Sequence, residues 1–573
     1  MNRFQIEALA CGLTVLAVSV SFNVGDRAAA ADFYVSQTSS GITNSMAWLN
    51  SAEAWGSATN EIGPGDTVHL CGSITNTITI GGSGSYGNPI TLLFEPNAIM
   101  TSPAWTNCAI FGGAYHDIVI DGGSNGIINS TSNGTALPLQ VGSKGILFYE
   151  ASRVTVKNLT IENLFVRTAG TNVSGGGIGI QFKWNGGGSF GSDLVTNCVF
   201  HDMSTGLSIG YGPNCTNFEM SGCTAYNVNM GGNAGDNGSL TLLNGLTVSN
   251  NRFYSWSNWD GTDDLSQKTW HHNGFYAWAE TGGSLSNVTY SGNFIGPGFG
   301  GVCQTSGLFV SGRAWNTMVY NNLIIAPDGT CPADGFIFLW ICHSVATAST
   351  ASVFNNTIVG GGKGTGIEFF QGFGSNLTTY FSENNLIQNV ATAITVYSNF
   401  DSTLISSHNS FYEVPFSTIC YSSATGSAGW ATSIADWQAL GYDLNLITNN
   451  PELSANYTLV SDSPTIGAGA NLTSLGITND FNGNPRPATG PWDIGAYEYY
   501  IMLPVFQGVQ HTGGNIAFTW SAIVGKNYQF QTATNLNGGN WQSNGLITAT
   551  NSIMSWSDIM DPDPQRFYRL LVE

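Results

Sequence analysis

Apolar and polar residues alternate along most of this chain in a pattern that returns about every thirty residues. A seven-residue segment, such as VYNNLII at 319–325, recurs with Asn or Cys at its fourth position. The first and last copies are 409 − 158 = 251 residues apart over eight steps, which sets the period. The fourth positions are Asn158, Cys198, Cys223, Asn251, Asn293, Asn322, Asn356, Asn385 and Asn409.

A second element precedes most of these segments and consists of a glycine followed by alternating apolar residues, as in NGFYAWA at 273–279. Alternation with a period of two is typical of a strand with one buried face. Each repeat therefore contributes a strand, a turn, a second strand and a loop. Further copies are KGILFYE (144–150), GGIGIQF (176–182), TGLSIGY (205–211), SGLFVSG (306–312), DGFIFLW (334–340) and TGIEFFQ (365–371).

These repeats predict an all-β fold, a right-handed parallel β-helix in which each repeat forms one rung. Stacked rungs satisfy each other's strand edges, and equivalent Asn side chains can hydrogen-bond from rung to rung. A β-propeller is disfavoured because its blades need longer antiparallel strands and a period of about forty residues or more. Residues 63–80 and 87–100 predict the first rungs, with Asp66 as a structural turn residue.

The repeat region, roughly residues 60–420, resembles the right-handed parallel β-helix proteins of the pectin-lyase-like superfamily, whose rungs carry such an Asn ladder. The resemblance implies the fold. It does not imply one activity, because that superfamily contains lyases, hydrolases, esterases, phage tailspikes and non-catalytic adhesins.

Cys198 and Cys223 occupy the ladder position in consecutive rungs. Stacked rungs lie about 4.8 Å apart, a separation that a disulfide tolerates. Two thiols that fill the position as small apolar groups would fit equally well. The sequence leaves both alternatives open.

The first thirty residues have the composition of a signal peptide. Arg3 precedes an apolar run from Leu9 to Phe22, which is too short to span a bilayer, and Ala28–Ala30 offers a cleavage site. We therefore expect a secreted or cell-surface protein without a transmembrane segment. The predicted regions are 1–30, the signal peptide; 31–425, the parallel β-helix; 426–502, a closing segment; and 503–573, a small β-sandwich.

Residues 463–498 contain SPTIGAGA, DFNGNPRP and PWDIGAYEY. This segment resembles the choice-of-anchor region that follows β-helices in many bacterial surface proteins. The resemblance implies a bacterial exported protein that attaches to the cell surface through its C-terminal region. We predict that Asp480, Arg486 and Asp493 form a buried charge network that closes the end of the helix.

The last seventy residues contain alternating strands separated by Gly and Asn turns, which predicts a small β-sandwich. Its aromatic residues fit either of two roles, a sugar-stacking face or the core of the module. They are Trp520, Tyr528, Trp541, Trp556 and Tyr568.

Composition narrows the functional classes. The chain has 73 Gly, only 9% charged residues and 42% hydrophobic residues, which excludes a disordered chain and disfavours a helix-rich enzyme. A net charge of −21 repels nucleic acid, so a nucleic-acid partner is excluded.

Residues that face outward on the second element could form a binding surface, because side chains alternate across a strand. Counted from Gly274 they are Tyr276, Trp278 and Glu280. The same count from the glycines of further elements gives Phe309, Ser311 and Arg313 from Gly307, and Gly179, Gln181 and Lys183 from Gly177. From Gly335 it gives Ile337, Leu339 and Ile341, which could form the floor of a cleft or lie beneath a loop. We expect Glu280 and Arg313 to be neighbours in register, as a functional or a surface ion pair.

The loop at 253–273 is the longest elaboration between ladder positions and concentrates aromatic and ionisable residues. Long loops on rigid scaffolds often carry function. Its side chains could stack on sugars, act as acid or base, or bind Ca²⁺ through Asp260, Asp263 and Asp264. The candidates are Trp256, Trp259, Trp270, Asp260, Asp263, Asp264, Lys268, His271 and His272.

Two mechanisms fit these residues. A glycoside hydrolase would use Glu280 with one of the loop aspartates. A polysaccharide lyase would use Arg313, Lys183 or His272, with Ca²⁺ held by the aspartates. We therefore predict a monomeric protein that binds and cleaves a polysaccharide. The alternative is a non-catalytic surface or adhesion protein.

Overall fold

The computed structural model describes residues 30–572 apart from 42, 134–137, 140, 165–176, 237–240, 257–270, 280–281, 301–305, 342–347, 372–377, 398–402, 416–419, 423–428, 432, 501–503, 537–539 and 560–564. The chain divides into two compact units, one ending at Glu498 and the other spanning Tyr499–Glu573.

Sheet A forms one side of the first unit. Apart from the short first pair its strands are successive rungs, and all of them pair in parallel. In spatial order, the fourteen strands within the described residues are β2 (Asn44–Ser45), β1 (Asp32–Ser36), β3 (Thr67–Leu70), β6 (Ile90–Phe94), β9 (Ile118–Asp121), β12 (Val154–Lys157), β15 (Gly191–Thr196), β17 (Cys215–Ser221), β19 (Leu242–Ser249), β22 (Ser284–Ser291), β25 (Ala314–Tyr320), β28 (Ser349–Phe354), β31 (Thr378–Glu383) and β34 (Thr403–Ser407).

A second continuous sheet forms the other two sides, which we call sheets B and C. Sheet B comprises β4 (Ser73–Ile74), β7 (Ile99–Ser102), β10 (Ile127–Ser130), β13 (Thr160–Glu162), β20 (Arg252–Tyr254), β23 (Phe294–Ile295), β26 (Leu323–Ile325), β29 (Thr357–Val359), β32 (Leu386–Gln388) and β35 (Ser410–Tyr412).

Sheet C contains the glycine-led elements. It comprises β5 (Ile78–Thr79), β8 (Cys108–Gly113), β11 (Lys144–Tyr149), β14 (Ile178–Lys183), β21 (Asn273–Ala279), β24 (Leu308–Gly312), β27 (Gly335–Ile341), β30 (Thr365–Gln371), β33 (Thr392–Tyr397), β36 (Cys420–Ser422) and the antiparallel β37 (Gly429–Ala431). Two long strands run through both B and C: β16 (Val199–Tyr211) and β18 (Thr224–Asp236).

One rung therefore follows β19 in sheet A, turns a corner into β20 in sheet B, continues to β21 in sheet C and returns to sheet A at β22. The inward side chains of the three sheets form one continuous apolar core. Helices are short within the described residues: α1 (Met46–Leu49), α2 (Ile434–Ala439) and single 3₁₀ turns at Ala52–Ala54 and Thr473–Leu475. This architecture confirms the predicted parallel β-helix.

The predicted Asn ladder lies at the corner between sheets A and B. The Nδ2 of Asn251 donates to Oδ1 of Asn293 at 3.0 Å, and Asn293 donates in the same way to Asn322 at 2.9 Å. The chain of amides continues through the later rungs to Asn409, with every member buried. Asn409 then donates to the carboxylate of Asp443 at 2.9 Å, where the ladder ends.

The residue before each ladder position adopts a left-handed conformation that turns the chain through the corner. Asn and Gly tolerate this conformation best, which explains the frequent Asn-Asn and Gly-Asn pairs in the repeat. These corner residues are Asn158, Asn197, Gly222, Asn250, Gly292, Asn321, Asn355, Asn384 and His408.

The structure decides two questions about the first positions of the ladder. The assignment of Asn158 was wrong by one residue, because Thr160 pairs with Val199 and Leu159 therefore occupies the ladder position opposite Cys198. Asn158 is a corner residue and donates to Asp121 at 2.9 Å. Cys198 and Cys223 are free thiols, fully buried, so the apolar alternative describes this pair.

A column of glycines in sheet C lets each strand pass over a large inward side chain of sheet B. A Cβ at Gly179 would lie 2.6 Å from the ring of Phe200, and one at Gly231 would lie 2.3 Å from Phe253. Steric exclusion, rather than turn formation, thus explains the recurrent glycine. The aligned positions are Gly145, Gly179, Gly206, Gly231, Gly274, Gly307, Phe336, Gly366 and Ala393.

The segment 463–498 lies along the side of the coil and contacts the corner residues. Asn384 donates to the carbonyl of Ala470 at 2.8 Å, and Asn355 donates to that of Asp493 at 3.2 Å. Asp480, Arg486 and Asp493 are buried and interact, as predicted, and Arg486 also pairs with Glu498 at 2.7 Å, but the network lies at the side of the coil. The expectation that this charge network closes the end of the helix is therefore corrected.

The end of the coil is covered instead by α2, which begins after Ser433. The Ser433 hydroxyl accepts the N–H of Asp436 at 3.1 Å and caps the helix. Trp437 is fully buried and donates its Nε1–H to Asp443 at 3.0 Å. The same aspartate therefore ends the ladder and anchors the covering helix.

The second unit contains two antiparallel sheets in the described residues. The strands are β38 (Phe506–Thr512), β39 (Asn515–Ser521) and β42 (Ile553–Ile559) in one sheet, and β40 (Asn527–Ala533), β41 (Gln542–Thr548) and β43 (Phe567–Val572) in the other. Trp520 and Tyr528 are fully buried, with Trp556 and Tyr568 packed against them, so these aromatics form the core. Trp541 instead contacts Arg569 at 4.3 Å.

Within the described residues, no helix has both the length and the apolar character needed to cross a bilayer.

We expect the Asn322→Ala variant to be less stable by at least about 2 kcal/mol, because it leaves buried amide groups of the neighbouring rungs unpaired. The measurement is the free energy of unfolding in denaturant. Thr350→Ala, an exposed change in β28, should shift it by less than about 0.5 kcal/mol. Equal stability of the two variants would show that the ladder contributes nothing.

Candidate functional site

The outward side of sheet C carries two parallel columns of side chains. Strand pairing aligns Tyr276, Phe309, Phe338 and Glu368 in the first column. The second column contains Trp278, Ser311, Trp340 and Phe370. We call this surface, on β21, β24, β27 and β30, the aromatic face.

The rings of the first column stack at the rung spacing. The centroids of Tyr276 and Phe309 are 4.4 Å apart, and those of Phe309 and Phe338 are 4.8 Å apart with almost parallel planes. His271 stacks on the other side of Tyr276 at 5.5 Å. Trp340, beside this stack, is 38% exposed and offers its ring to solvent. The face thus combines a rigid aromatic base with an accessible indole.

One sequence-based assignment on this face was wrong. Ile337, Leu339 and Ile341 point into the core and are buried, so they do not face outward. The count started from Gly335, whereas Phe336 occupies the glycine column in β27. The true outward residues of this strand are Phe338 and Trp340.

Trp278 extends the face toward the preceding rung. Its indole lies over Gly235, since a Cβ there would meet the ring at 2.0 Å. The hydroxyl of Tyr211 donates to the Trp278 carbonyl at 2.8 Å and fixes the strand. Tyr276 and Trp278 therefore both face outward, as predicted, although Tyr276 is only 8% exposed.

Among the described residues, Glu368 is the carboxyl group of this face. It follows Phe338 in the first column and is 9% exposed. Burial, together with the negative charge of Asp334, raises the pKa of Glu368 to about 7. The backbone N–H of Gly335 donates to its Oε2 at 3.0 Å and opposes the shift only in part. Glu368 can therefore carry a proton near neutral pH and release it.

Sequence reasoning missed Glu368, although the signal was present. The element TGIEFFQ contains Gly366, and the count applied at Gly274 places Glu368 and Phe370 outward. Only the Phe338 and Trp340 neighbours, which come from another repeat, reveal that the carboxyl is desolvated.

His272 lies inside the coil. It is fully buried, and its Nδ1 is 3.0 Å from the carbonyl oxygen of Phe299. Trp256 is also fully buried and stacks on Phe299 at 4.9 Å. The prediction of His272 as a catalytic base is corrected, because a buried imidazole cannot reach a polymer.

Arg313 and Lys183 lie away from Glu368. Arg313 follows the end of β24, where its Nη1 donates to the carbonyl of Gly282 at 3.3 Å. Lys183 is exposed and outward-facing, as predicted. It is three rungs before Trp278, or about 14 Å along the coil. Neither cation contributes to the aromatic face.

The other predicted site residues lie outside the described residues. They are Glu280, Trp259, Trp270, Lys268 and the proposed Ca²⁺ ligands Asp260, Asp263 and Asp264. Among the residues that the structure does describe, there is no group of three or more His, Cys, Asp or Glu side chains that could hold a metal ion.

A scan of protein-family models finds no match to this chain. A search of curated protein sequences also finds none. Similar solved structures exist at low sequence identity.

Three of these structures are a pectate lyase, a phage tailspike and a bacterial enzyme. Pectate lyase Pel9A is 16% identical over 82% of this chain and 96% of its own, with a TM-score of 0.35. A mutant tailspike of E. coli bacteriophage HK620 is 10% identical over 89% and 86%, with a TM-score of 0.36. A hyperthermoactive exopolygalacturonase from Thermotoga maritima is 10% identical over 61% and 80%, with a TM-score of 0.27. The paired sheets and the ladder themselves define the parallel β-helix.

The raised pKa of Glu368 predicts a pH-dependent stability. Its folded pKa is about 7 and its ordinary value is 4.5, so the unfolded chain loses the proton first as pH rises. Relative to Glu368→Gln, the wild-type free energy of unfolding should fall by about 3 kcal/mol between pH 4.5 and 7. Denaturant titrations across this range measure the difference.

Glu219→Gln provides the matched control, because Glu219 is an exposed residue on β17. As an exposed substitution, it should change the free energy of unfolding by less than about 0.5 kcal/mol. If the free energies of unfolding of the wild type and Glu368→Gln differ by the same amount at every pH between 4.5 and 7, the raised pKa assigned to Glu368 is contradicted.

Proposed function

We propose that the aromatic face binds a polysaccharide and that Glu368 protonates the glycosidic oxygen during hydrolysis. The single observation that carries the proposal is a buried carboxyl, Glu368, in register with an aromatic stack and next to the exposed Trp340, in surroundings that raise its pKa to about 7. Aromatic rings bind the apolar faces of sugars, while a raised carboxyl pKa is required of a general acid at neutral pH.

A second carboxylate completes the chemistry. Asp334 is partly exposed and immediately precedes Gly335, whose N–H donates to Glu368. In the proposed reaction Glu368 gives its proton to the leaving oxygen as the bond to the anomeric carbon breaks. Asp334 either takes a proton from the water that attacks this carbon, or attacks the carbon itself to form a glycosyl ester; in the second case water then hydrolyses the ester while Glu368 takes the proton of that water. A pair of this type favours hydrolysis over elimination, which needs a base and a cation beside a uronate.

Glycan binding without cleavage is the competing function. It is supported by the aromatic stack, which could hold a sugar without any acid chemistry. A panel of polysaccharides assayed for new reducing ends and for unsaturated, ultraviolet-absorbing ends separates hydrolysis, elimination and simple binding. New reducing ends without unsaturation are expected.

We expect Glu368→Gln to lower kcat by about 10²–10⁴-fold while glycan affinity is retained, because only proton transfer is removed. Trp340→Ala should instead raise KM. The activity of the wild type should fall as pH rises through 7, since Glu368 then loses its proton. Steady-state kinetics measure these effects, with Glu219→Gln as the control.

Full activity of the Glu368→Gln variant would show that Glu368 is not the general acid. Glycan binding without either kind of new chain end would support the non-catalytic function instead.

We also propose that the protein is exported, on the basis of the signal-peptide composition of residues 1–30, and that the exporting cell is bacterial, on the basis of the choice-of-anchor resemblance of residues 463–498. Expression in a bacterial host should yield an extracytoplasmic protein whose N-terminus lies near Ala31. N-terminal sequencing tests this. An uncleaved cytoplasmic product would contradict it.

A further inference from the structure

A polar cavity lies on a different side of the coil, where residues 476–483 pass over the corner between sheets A and B. Its volume is about 240 Å³ and it opens to solvent. Ser291 and Tyr320, paired outward residues of β22 and β25, form its floor. The corner residues Asn250 and Asn321 form its back wall.

The frame of this cavity is rigid. Asn321 is 4% exposed; it donates to the carbonyl of Asn479 and accepts from Arg486 at 3.0 Å. Asp480 holds the overlying turn, because its carboxylate accepts the N–H groups of Asn482 and Asn484 at 2.9 and 2.8 Å. The walls are therefore held in place without a ligand.

Several polar side chains converge on the cavity and have no hydrogen-bond partner within the described part of the chain. Hydroxyl and amide groups both donate and accept, so the set can bind a ligand that does the same. The rings of Tyr320 and Phe481 add apolar surface. The unpaired side chains are those of Asn250, Ser291, Tyr320, Thr478 and Asn479.

We propose that this cavity binds a single neutral sugar residue. A sugar ring presents hydroxyls at its edge and C–H bonds on its faces, which match the amide, hydroxyl and aromatic lining. The volume lies below the roughly 300–1,000 Å³ of pockets for drug-sized ligands, which suits one ring. Asp480 in the lining and the net charge of −21 disfavour an anionic sugar.

This site is independent of the proposed catalysis, since Ser291 and Tyr320 belong to sheet A and Glu368 to sheet C. It would hold a glycan at a second point on the same coil, whether or not the aromatic face cleaves it. Two such points on one rigid body would raise the affinity for a polymer that reaches both.

The test uses the full-length protein with glucose, galactose and mannose as probes and glucuronate as the anionic comparison. Ligand-detected NMR titration gives Kd for each sugar. At least one neutral sugar should bind, and more tightly than glucuronate. Asn250→Gly should raise its Kd about tenfold, because one hydrogen-bonding amide is lost. Glycine already occupies two equivalent corners, at Gly222 and Gly292, so the fold should be retained.

Tyr320→Phe should weaken binding in the same direction. Ser249→Ala is the matched control, because Ser249 pairs with Ser291 one rung earlier and does not line the cavity. Glu368→Gln and Trp340→Ala should leave sugar binding at this site unchanged. The proposal is overturned if none of the three sugars binds, if glucuronate binds as tightly, if Asn250→Gly binds normally, or if Trp340→Ala abolishes binding.

Discussion

Register is the constraint on which this structure depends. Apart from a register shift between β8 and β11, successive rungs pair in parallel in constant register, so each strand residue sits above its equivalent in the rung before. The buried Asn side chains enforce this arrangement, because each amide finds its partner only in the next rung. A shift by one residue would leave these amides unpaired in an apolar core and would turn the core side chains outward. Core packing and ladder therefore require the same alignment.

The same register arranges the outer surface. Residues scattered over a hundred positions of sequence, from Tyr276 to Phe370, become one aromatic face because they occupy equivalent places in four rungs. The chemistry of Glu368 follows from its position at the end of this series, where neighbouring rings remove water and the charge of Asp334 is close. The pKa of such a residue is set by side chains of neighbouring rungs and not by the sequence of its own repeat alone.

Features that recur in every repeat could be predicted from the sequence. Errors arose where one repeat has a different residue at a recurring position. The period, the ladder from Cys198 onward and the outward direction of Tyr276 and Trp278 were correct. Errors of one residue arose at Leu159, which replaces Asn in the ladder, and at Phe336, which replaces Gly in its column. The burial of His272 and the raised pKa of Glu368 depend on contacts between rungs. The sequence of a single repeat does not determine those contacts.

The ladder has a direction, and this bears on how a coil of this type stops. Every Asn both accepts from the rung before and donates to the rung after, so the series could in principle continue without limit. Asp443 accepts from Asn409 through Oδ1, and its Oδ2 accepts from Trp437 and Ser406, so within the described residues no side-chain amide passes the series on to a further rung. The presence of a carboxyl, Asp443, in place of another Asn thus ends the ladder. It gives an otherwise open-ended series of rungs a defined last unit.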